Sequence, residues 1–262
     1  MCEPRYFETL DYVINPWMTP GKINKEKAAQ EWKQLVHVYK DQGITVEIID
    51  QKKSSPDMVF ATDQGIVQGK NVLLSRFWHD ERKKETNHYE KWFRKNDYTI
   101  LGLPNDVYFE GNGDAYFWKD KIFIGVGYRA DDKTCKAIST LLDREVIPLE
   151  IVDPKFYHLD VGFFPLNNET IFYYPPAFSE KSRGVLKKLV PNLIEFSKDE
   201  AYGFCANSVV TDHHVIHQKG NPTFQKKLSN LGYLSIAVDL SEFKKSGGGI
   251  HCLTNILEEK FV

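Results

Sequence analysis

One cysteine of this chain stands directly after a run of glycines. In the stretch SGGGIHCLTNIL, residues 246–257, only Ile250 separates three consecutive glycines from the pair His251 and Cys252. Glycine runs occur where the backbone bends sharply or approaches another group closely, and a deprotonated cysteine is a strong nucleophile. The stretch alone leaves two interpretations open: a loop followed by a buried core cysteine on a last strand, or a reactive thiol presented by a bend.

Acids and amides recur at equivalent places elsewhere in the chain, where the first strand of each of several repeated units is predicted to begin. The set is Asp63, Asp114, Asp160 and Asn207, joined by Cys252 and Asn15 from a unit split between the two ends of the chain. If these strand ends meet, acids surround a thiol, and such a ring favours a cationic, planar ligand. Taken singly, each of these polar residues is equally consistent with a solvated strand end.

The elements that must position these residues follow one pattern five times: a strand, a turn, an apolar strand, an amphipathic helix and a closing strand. The second copy reads VFATDQGIV, turn QGK, NVLLSRF, helix KKETNHYEKWFRKN and strand YTILGL. In the first copy, DYVINPW precedes the helix NKEKAAQEWKQLVHVYKDQG and the strand TVEIID, and the C-terminal GIHCLTNIL is predicted to supply the missing strand. Helices that begin about every 45–55 residues are typical of propeller or solenoid arrays. The pattern predicts an α/β fold, a five-bladed α/β propeller of five ββαβ units around a central channel.

Composition limits the classes of function. The 262 residues are 42 % hydrophobic and 13 % aromatic, enough for one large domain or two small ones. The net charge of −2 disfavours nucleic acid or an anionic membrane as a partner. The cysteines show no CxxC pairing, so a reduced, cytoplasmic protein is predicted. The N-terminal sequence does not resemble a signal peptide, and no apolar stretch reaches the roughly 20 residues of a membrane span.

Four motifs carry a family resemblance. PDMVFATD, FEGNGD, YHLD and GGGIHC stand in this order, each at an equivalent place in a repeat. Together they resemble the guanidino-group modifying superfamily, the penteins, which includes arginine deiminases, agmatine deiminases, dimethylarginine dimethylaminohydrolases and amidinotransferases. The resemblance covers nearly the whole chain and implies a single pentein catalytic domain over residues 1–262. The opening MCEPRYFETLDYVINPWM resembles, more narrowly, the arginine dihydrolase branch.

The resemblance implies which residues carry the chemistry. Cys252 matches the family's nucleophile, and His158 of the YHLD motif matches its general acid and base. Glu110, Asp160 and Asp63 match the acids that hold the guanidinium group. Such groups are needed because a resonance-stabilised guanidinium carbon is a poor electrophile and an amine leaves only once protonated. Carboxylates pair with guanidinium N–H groups in bidentate fashion, and a bound cation would help to deprotonate a thiol among acids.

A second set of residues matches positions that contact the rest of an amino-acid substrate. Asp57 and Phe60 match the stretch that holds an α-ammonium group, and Arg129 in GVGYRAD matches an arginine that holds an α-carboxylate. Arg82 resembles the arginine of the deiminase RxxET motif, and Asn15 is expected in the channel as a substrate contact. For both arginines the alternative interpretation is surface pairing with a neighbouring acid.

Two departures from the family patterns bear on the reaction. Arginine deiminases have Asn where this chain has Asp57, and the dihydrolase branch has Asn at the place of Asp63. A full charge holds a guanidinium group through strong hydrogen bonds, whereas a neutral ureido product gains little from it, so Asp63 favours a single hydrolysis. The prediction is a cysteine-dependent hydrolase of arginine or an N-methylated arginine, which gives citrulline and ammonia or methylamine through a thiouronium linked to Cys252.

Three alternatives stay open: an amidinotransferase, an arginine dihydrolase that forms ornithine, and a non-catalytic binding module. Retention of Cys252 and His158 speaks against the binding module. The expected partner is a small guanidino compound, and the oligomeric state, a homodimer included, is left open.

Other histidines are given lesser roles. His213, His214 and His217 in DHHVIHQ would alternate between the faces of a strand with no evident fourth ligand, so neither a metal nor a cofactor is expected. His251 ranks below His158 as an acid–base group, because neighbouring side chains on a strand face opposite ways.

Overall fold

The computed structural model describes residues 1–8, 13–19, 21 and 23–258, and these form an α/β fold. The strands are β1 (Cys2–Glu3), β2 (Ile49–Asp50), β3 (Gly65–Gln68), β4 (Asn71–Leu74), β5 (Thr99–Leu101), β6 (Ala115–Trp118), β7 (Lys121–Val126), β8 (Glu145–Glu150), β9 (Phe163–Pro165), β10 (Thr170–Tyr173), β11 (Asn192–Glu195), β12 (Val209–Thr211), β13 (His214–Gln218) and β14 (Leu234–Val238). The helices are α1 (Lys25–Asp41), α2 (Lys83–Lys95), α3 (Gly111–Asp114), α4 (Asp132–Leu142), α5 (Leu159–Gly162), α6 (Glu180–Leu189), α7 (Lys198–Tyr202), α8 (Pro222–Asn230) and α9 (Ser241–Lys244). Short 3-10 turns lie at Pro56–Val59, Ala61–Gln64, Pro154–Phe156 and Pro175–Ala177.

Four sheets share one topology. In each, an antiparallel pair of strands is followed by a helix and then by a third strand parallel to the second. The sheets are β3-β4-β5, β6-β7-β8, β9-β10-β11 and β12-β13-β14. A parallel neighbour requires a crossover connection, which α2, α4, α6 and α8 provide. This is the ββαβ order that the sequence predicts for the second to fifth units.

The first unit differs from the prediction. Its sheet contains β1 and β2 within the described residues, and these two strands run parallel. Residues 14–17 of DYVINPW form bends and turns, while residues 11 and 12 lie outside the described residues. The predicted C-terminal strand GIHCLTNIL is wrong: residues 250–253 form a turn. The turn forms because its amides bond locally, from Leu253 N–H to Gly249 O at 3.1 Å and from Thr254 N–H to His251 O at 2.9 Å, so they are not free to join a ladder.

The acids lie in short helical segments directly before the strands and not on the strands themselves. Asp63 belongs to the 3-10 turn Ala61–Gln64, Asp114 to α3 and Asp160 to α5, each of which ends where β3, β6 or β9 begins. These segments pack closely against one another. A Cβ at Gly113 would lie 2.5 Å from Oδ1 of Asp63 and 2.8 Å from Nδ1 of His158. A glycine at this place therefore lets two units bring their polar side chains together.

Amphipathic helices and an aromatic core support these turns. Helix α1 begins after Asn24, whose side chain accepts the N–H of Lys27 at 2.9 Å, a cap that stabilises a helix by about 1 kcal/mol. Phe172 stacks on Phe196 at 5.3 Å and meets Phe224 edge-on at 5.4 Å, and truncation of such a buried ring costs about 3–5 kcal/mol. Across the described ranges, we find no helix with the length and apolar character to cross a bilayer.

Candidate active site

A cleft of about 350 Å³ opens where the acid-bearing turns meet the glycine-rich segment. Its lining includes eight of the ten residues that the sequence singled out: Asn15, Asp57, Phe60, Asp63, Arg82, Glu110, Arg129 and Cys252. The other two, His158 and Asp160, lie behind the lining and contact it directly. His158 Nε2 is 2.8 Å from Oε2 of Glu110, and Oδ2 of Asp160 is 3.2 Å from Sγ of Cys252.

The three glycines before Cys252 each meet a different constraint. Gly247 has φ +81°, in the left-handed region that glycine tolerates best. Gly248 lies against the ring of Phe60, which leaves no room for a Cβ atom, and a Cβ at Gly249 would lie 2.8 Å from Oδ1 of Asn207. The triplet thus lets the backbone turn and pass between two side chains before it presents the thiol.

The thiol of Cys252 is buried among polar groups. Its sulfur lies 2.9 Å from Nδ2 of Asn207 and 3.2 Å from Oδ2 of Asp160. Burial, followed by the negative charges of Asp160 and Asp63, raises the pKa of Cys252 well above its ordinary value. The sulfur is therefore protonated at neutral pH in the unliganded protein, and a cation bound nearby would favour the thiolate.

His158 lies among three acids. Its Nε2 contacts Glu110 at 2.8 Å and faces Asp114 at 3.9 Å, and its Nδ1 faces Oδ1 of Asp63 at 3.7 Å. Burial alone would lower its pKa, but the charge of Asp63 and the hydrogen bond with Glu110 raise the pKa to about 9. Burial opposes ionisation of Glu110 as well, yet the hydrogen bond and charge of His158 hold the pKa of Glu110 below its ordinary value. At neutral pH the ring is an imidazolium that can donate a proton.

Arg82 is held by buried acids and not by a surface pair. It donates to Oδ2 of Asp63 at 2.6 Å, to Oε2 of Glu85 at 3.0 Å and to the backbone oxygen of Asp57 at 3.2 Å. Its guanidinium carbon lies 4.3 Å from the ring centre of Phe77. The alternative of surface pairing is wrong for this residue, because the side chain is buried and its partners are too. Arg82 compensates one oxygen of Asp63 and leaves Oδ1 without a hydrogen-bond partner.

Arg129 has a looser environment in the same cleft. It donates to the backbone oxygen of Ile14 at 3.1 Å, and its Nε is 3.4 Å from Oε2 of Glu110. Its guanidinium carbon lies 5.1 Å from the ring centre of Tyr157.

The cleft also contains the buried carboxyl group of Asp57. Burial raises the pKa of Asp57 to about 6, although the charge of Arg82 opposes this shift. The cleft thus carries groups of both charges, as a zwitterionic ligand requires.

Asn15 and Phe60 shape the cleft wall. Nδ2 of Asn15 donates to Ser246 O at 3.1 Å, and its Oδ1 accepts the N–H groups of Trp17 at 3.0 Å and Met18 at 3.1 Å. The amide therefore ties the segment 13–19 to the glycine-rich segment. The Phe60 ring supports Gly248 from the other side.

Some residues of the site were missed or ranked too low from the sequence. Nδ1 of His251 lies 2.9 Å from Oδ2 of Asp160, although the strand argument placed His251 away from the site. That argument fails because His251 sits in a turn, where neighbouring side chains are not on opposite faces. His79 and Tyr157 line the cleft. Tyr157 is the first residue of the YHLD motif, which is a usable signal, whereas nothing in the local pattern marks His79.

The histidines of DHHVIHQ lie on or beside β13, with His217 buried and its Nδ1 2.9 Å from Gln218 O. Among the residues that the structure describes, no cluster of three or more His, Cys, Asp or Glu side chains has the arrangement of a metal site.

The repeated ββαβ topology and a cysteine beside carboxylates in a cleft of mixed charge agree with what the motif resemblance to the guanidino-group modifying superfamily implies. The model of the family described as N,N dimethylarginine dimethylhydrolase, eukaryotic, matches residues 6–258. The chain belongs to this family, which confirms the resemblance drawn from the motifs.

The relatives include both arginine dihydrolases and dimethylarginine dimethylaminohydrolases. The chain is 39 % identical to the bifunctional arginine dihydrolase/ornithine cyclodeaminase ArgZ of Synechocystis over 97 % of its own length but only 37 % of the relative's. It is 32 % identical to an N(G),N(G)-dimethylarginine dimethylaminohydrolase of Mycobacterium tuberculosis, over 97 % of this chain and 83 % of the relative. The solved N-terminal domain of an ArgZ variant, covalently bound to a reaction intermediate, superimposes with a TM-score of 0.95 at 37 % identity, over 99 % of this chain and 97 % of that chain.

Proposed function

We propose that this protein is a cysteine-dependent amidine hydrolase that cleaves a C–N bond of the guanidinium group of arginine or an N-methylated arginine, and that it releases citrulline with ammonia or methylamine. One observation carries the proposal. The thiol of Cys252 lies in a cleft beside carboxylates, and Oδ1 atoms of Asp57, Asp63 and Asp160 are buried without hydrogen-bond partners. Buried acceptors without donors are costly, and the N–H groups of a guanidinium and an ammonium would supply the missing donors.

The two charge types in the cleft support an amino-acid substrate. The carboxylates near Cys252 would hold the guanidinium, Asp57 the α-ammonium and Arg129 the α-carboxylate. Nε of Arg129 has no hydrogen-bond partner, so a ligand carboxylate would satisfy it. Glu110 lies between the two regions, since it contacts both His158 and Arg129.

The first chemical step is attack by sulfur. The substrate's charge offsets the field of Asp160 and Asp63, so the thiol loses its proton to bulk water and the thiolate attacks the guanidinium carbon. An S–C bond forms, His158 transfers its proton to the departing nitrogen, and the C–N bond breaks. Ammonia or methylamine leaves, and a thiouronium remains on Cys252.

Water completes the reaction. Neutral His158 takes a proton from water, the oxygen attacks the thiouronium carbon, and the C–S bond breaks as the carbonyl forms. The remaining hydroxyl proton returns to the sulfur, which restores the thiol, the imidazolium and a free cleft. A relative held in a solved structure as a covalent intermediate supports a covalent route of this kind.

A dihydrolase that continues to ornithine is the second candidate, and the 39 % identity to a bifunctional dihydrolase favours it. Asp63 argues for a single hydrolysis. Asp63 lines the cleft, its Oδ1 faces His158, and Arg82 already compensates its Oδ2. A charged acceptor holds the cationic substrate more tightly than the neutral ureido product, so citrulline is expected to leave before a second attack.

Product analysis tests the proposal. The purified protein would be given arginine, monomethylarginine, dimethylarginine, agmatine and guanidinoacetate, with products identified by mass spectrometry and ammonia counted per substrate consumed. We expect one ammonia per arginine and citrulline as the product. Two ammonia per arginine with ornithine as the product would establish the dihydrolase. Transfer of the amidino group to glycine or ornithine would establish an amidinotransferase. No turnover of any compound would indicate a binding module.

We also infer that the five sheets close into a five-bladed propeller and that residues 1–262 form one catalytic domain. Contacts between turns of separate units support closure: His158 faces Asp63 and Asp114, and Asn207 contacts Asp160. A crystal structure tests closure, and coincident urea transitions by fluorescence and circular dichroism test the single domain. A cytoplasmic location stays a prediction from cysteine usage, and sedimentation would give the oligomeric state.

A further inference from the structure

The side-chain amide of Asn207 contacts the reactive segment with both of its polar atoms. Its Oδ1 accepts the backbone N–H of Cys252 at 3.1 Å, and its Nδ2 lies 2.9 Å from Sγ of the same residue. The same Nδ2 is 2.9 Å from Oδ2 of Asp160. Asn207 is fully buried. One amide therefore joins the backbone, the sulfur and the carboxylate at the centre of the site.

The orientation of this amide follows from the character of its neighbours. A backbone N–H can only donate, so the atom that faces Cys252 N must be the oxygen of Asn207. A carboxylate can only accept, so the atom that faces Asp160 must be the nitrogen. Both constraints select the same rotamer of the amide. Nδ2 carries two N–H groups, so one can donate to Asp160 and the other is available to the sulfur.

We propose that Asn207 is a further catalytic residue, whose side-chain N–H donates a hydrogen bond to the sulfur of Cys252 and stabilises the thiolate. The inference rests on the proposed role of Cys252 as the nucleophile. It assigns to Asn207 a role that neither a carboxylate nor the imidazole of His158 fills in this geometry.

The surroundings of the sulfur explain why a donor is needed there. The titratable groups that face it are the acids Asp160 and Asp63 and the phenols Tyr116 and Tyr157. Both acids disfavour a negative sulfur, and a thiolate loses the bond that the thiol donates to Asp160. The backbone N–H of Gly249 also bonds to this sulfur and lowers its pKa. Among the side chains that the structure describes, the amide of Asn207 is the one whose N–H is in hydrogen-bond contact with Sγ. Hydrogen bonds to a charged acceptor are roughly twice as strong as neutral ones, so this bond strengthens as the thiolate forms.

Gly249, the third glycine of the triplet, supports the same role for Asn207. A Cβ at Gly249 would lie 2.8 Å from Oδ1 of Asn207 and 3.5 Å from its Cβ. The glycine thus leaves space for an amide that approaches both the N–H and the sulfur of Cys252. Gly249 and Asn207 together set the position of the thiol relative to Asp160.

Alkylation of Cys252 by iodoacetamide measures this effect without any substrate. An S–C bond forms, the C–I bond breaks, iodide leaves and the thiol proton goes to the buffer, so the rate follows the thiolate fraction. Peptide mass spectrometry separates Cys252 from Cys2, Cys135 and Cys205. In Asn207→Ala we expect the rate constant at each pH to fall about tenfold, equivalent to a displacement of the whole pH profile by about one unit. Because rate constants are compared at the same pH, the alkylation rate does not have to be followed up to the pH at which Cys252 is fully deprotonated.

A matched control removes a similar amide from the same C-terminal segment. The side chain of Asn255 donates to the backbone oxygens of Ala61 at 3.0 Å and Gly65 at 3.1 Å and does not touch the sulfur. Asn255→Ala should leave the alkylation profile in place. A purely structural role for Asn207 predicts equal displacement in both variants, and that result would overturn the proposal.

The near-isosteric Asn207→Asp keeps an oxygen for the N–H of Cys252 and replaces the donor, so it should displace the profile at least as far as Asn207→Ala. Circular dichroism establishes folding of each variant, and an unchanged profile in either folded variant refutes the donor role. Resistance of Cys252 to alkylation at every pH in the unaltered protein would also refute the donor role. If instead the displacement is seen but no guanidino compound is turned over, the proposed function fails, and what stands is that Asn207 donates a hydrogen bond to the sulfur of Cys252.

Discussion

Two arginines line one cleft, and their surroundings differ. Arg82 is bound by the carboxylates of Asp63 and Glu85, so its charge is compensated by the protein itself. Arg129 binds backbone oxygens, faces the single acid Glu110, and has an Nε without a hydrogen-bond partner. The number of buried acids around an arginine therefore decides whether it holds the structure together or stays available to a ligand. The same contrast divides the cleft into a densely bonded side around Cys252 and Arg82 and a sparsely bonded side around Arg129.

Replacement of Cys252 gives the largest expected effect, because it removes the nucleophile from the densely bonded side of the cleft and leaves the contacts of Arg129 on the sparsely bonded side unchanged. Cys252→Ala should lower kcat on the order of 10³-fold or more, with KM or ligand affinity changed little and the melting temperature kept. Cys135→Ala is the control, since Cys135 lies on α4 outside the cleft. Steady-state kinetics and isothermal titration measure both quantities. More than a few per cent residual activity would show that another group is the nucleophile.

His158→Asn should lower kcat by about 10²–10⁴-fold, the usual contribution of a positioned acid–base group. The pKa of His158 is raised to about 9, so the ring is protonated below that pH and loses its proton above it. Since the first step consumes this proton, activity of the unaltered protein should fall as the pH rises through about 9. A pH–rate profile checks this, and retention of the alkaline fall in His158→Asn would assign it to a different group.

The two arginines provide a matched pair. Arg82→Met leaves the buried carboxylates of Asp63 and Glu85 without their cation, which should cost about 3–5 kcal/mol of unfolding free energy. Arg129→Met removes fewer bonds, so it should raise KM for arginine about 10- to 100-fold with a small change in stability. Urea unfolding and kinetics on both variants test this. Equal losses of stability would remove the distinction between the two sides of the cleft.

The smallest effect concerns Asp57, whose pKa burial raises to about 6. A raised carboxylate pKa means that the charge needed for an α-ammonium appears only above that pH, so kcat/KM should rise with pH through about 6. Asp57→Asn should lower kcat/KM at neutral pH about tenfold and remove this acid limb. A limb that persists in Asp57→Asn would have to come from another acid, such as Glu85, whose pKa burial raises to about 7 despite Arg82.

The sequence predicted much of the local structure because its signals are local. The predicted helix NKEKAAQEWKQLVHVYKDQG is α1, whose buried face includes Ala28, Trp32 and Leu35, and the repeated strand–turn–strand–helix pattern predicted four of the sheets. The motifs also identified the family, which the match over residues 6–258 confirms. The roles of the ten singled-out residues stay predictions, although the structure brings eight into one cleft and two into contact with it.

What the sequence determined by itself was periodicity: which residues face a core, where helices begin, and that one unit recurs. Tertiary structure decided which distant polar groups meet. Arg82 reaches Asp63 across 19 positions, Glu110 reaches His158 across 48, and Asn207 reaches Cys252 across 45. The turn at residues 250–253 belongs to the same category, since the backbone N–H of Cys252 binds Asn207 and is unavailable to a strand. Side-chain periodicity reports a local face, whereas burial, charge and pKa at the centre depend on how separate units pack, and no single stretch of chain contains that information.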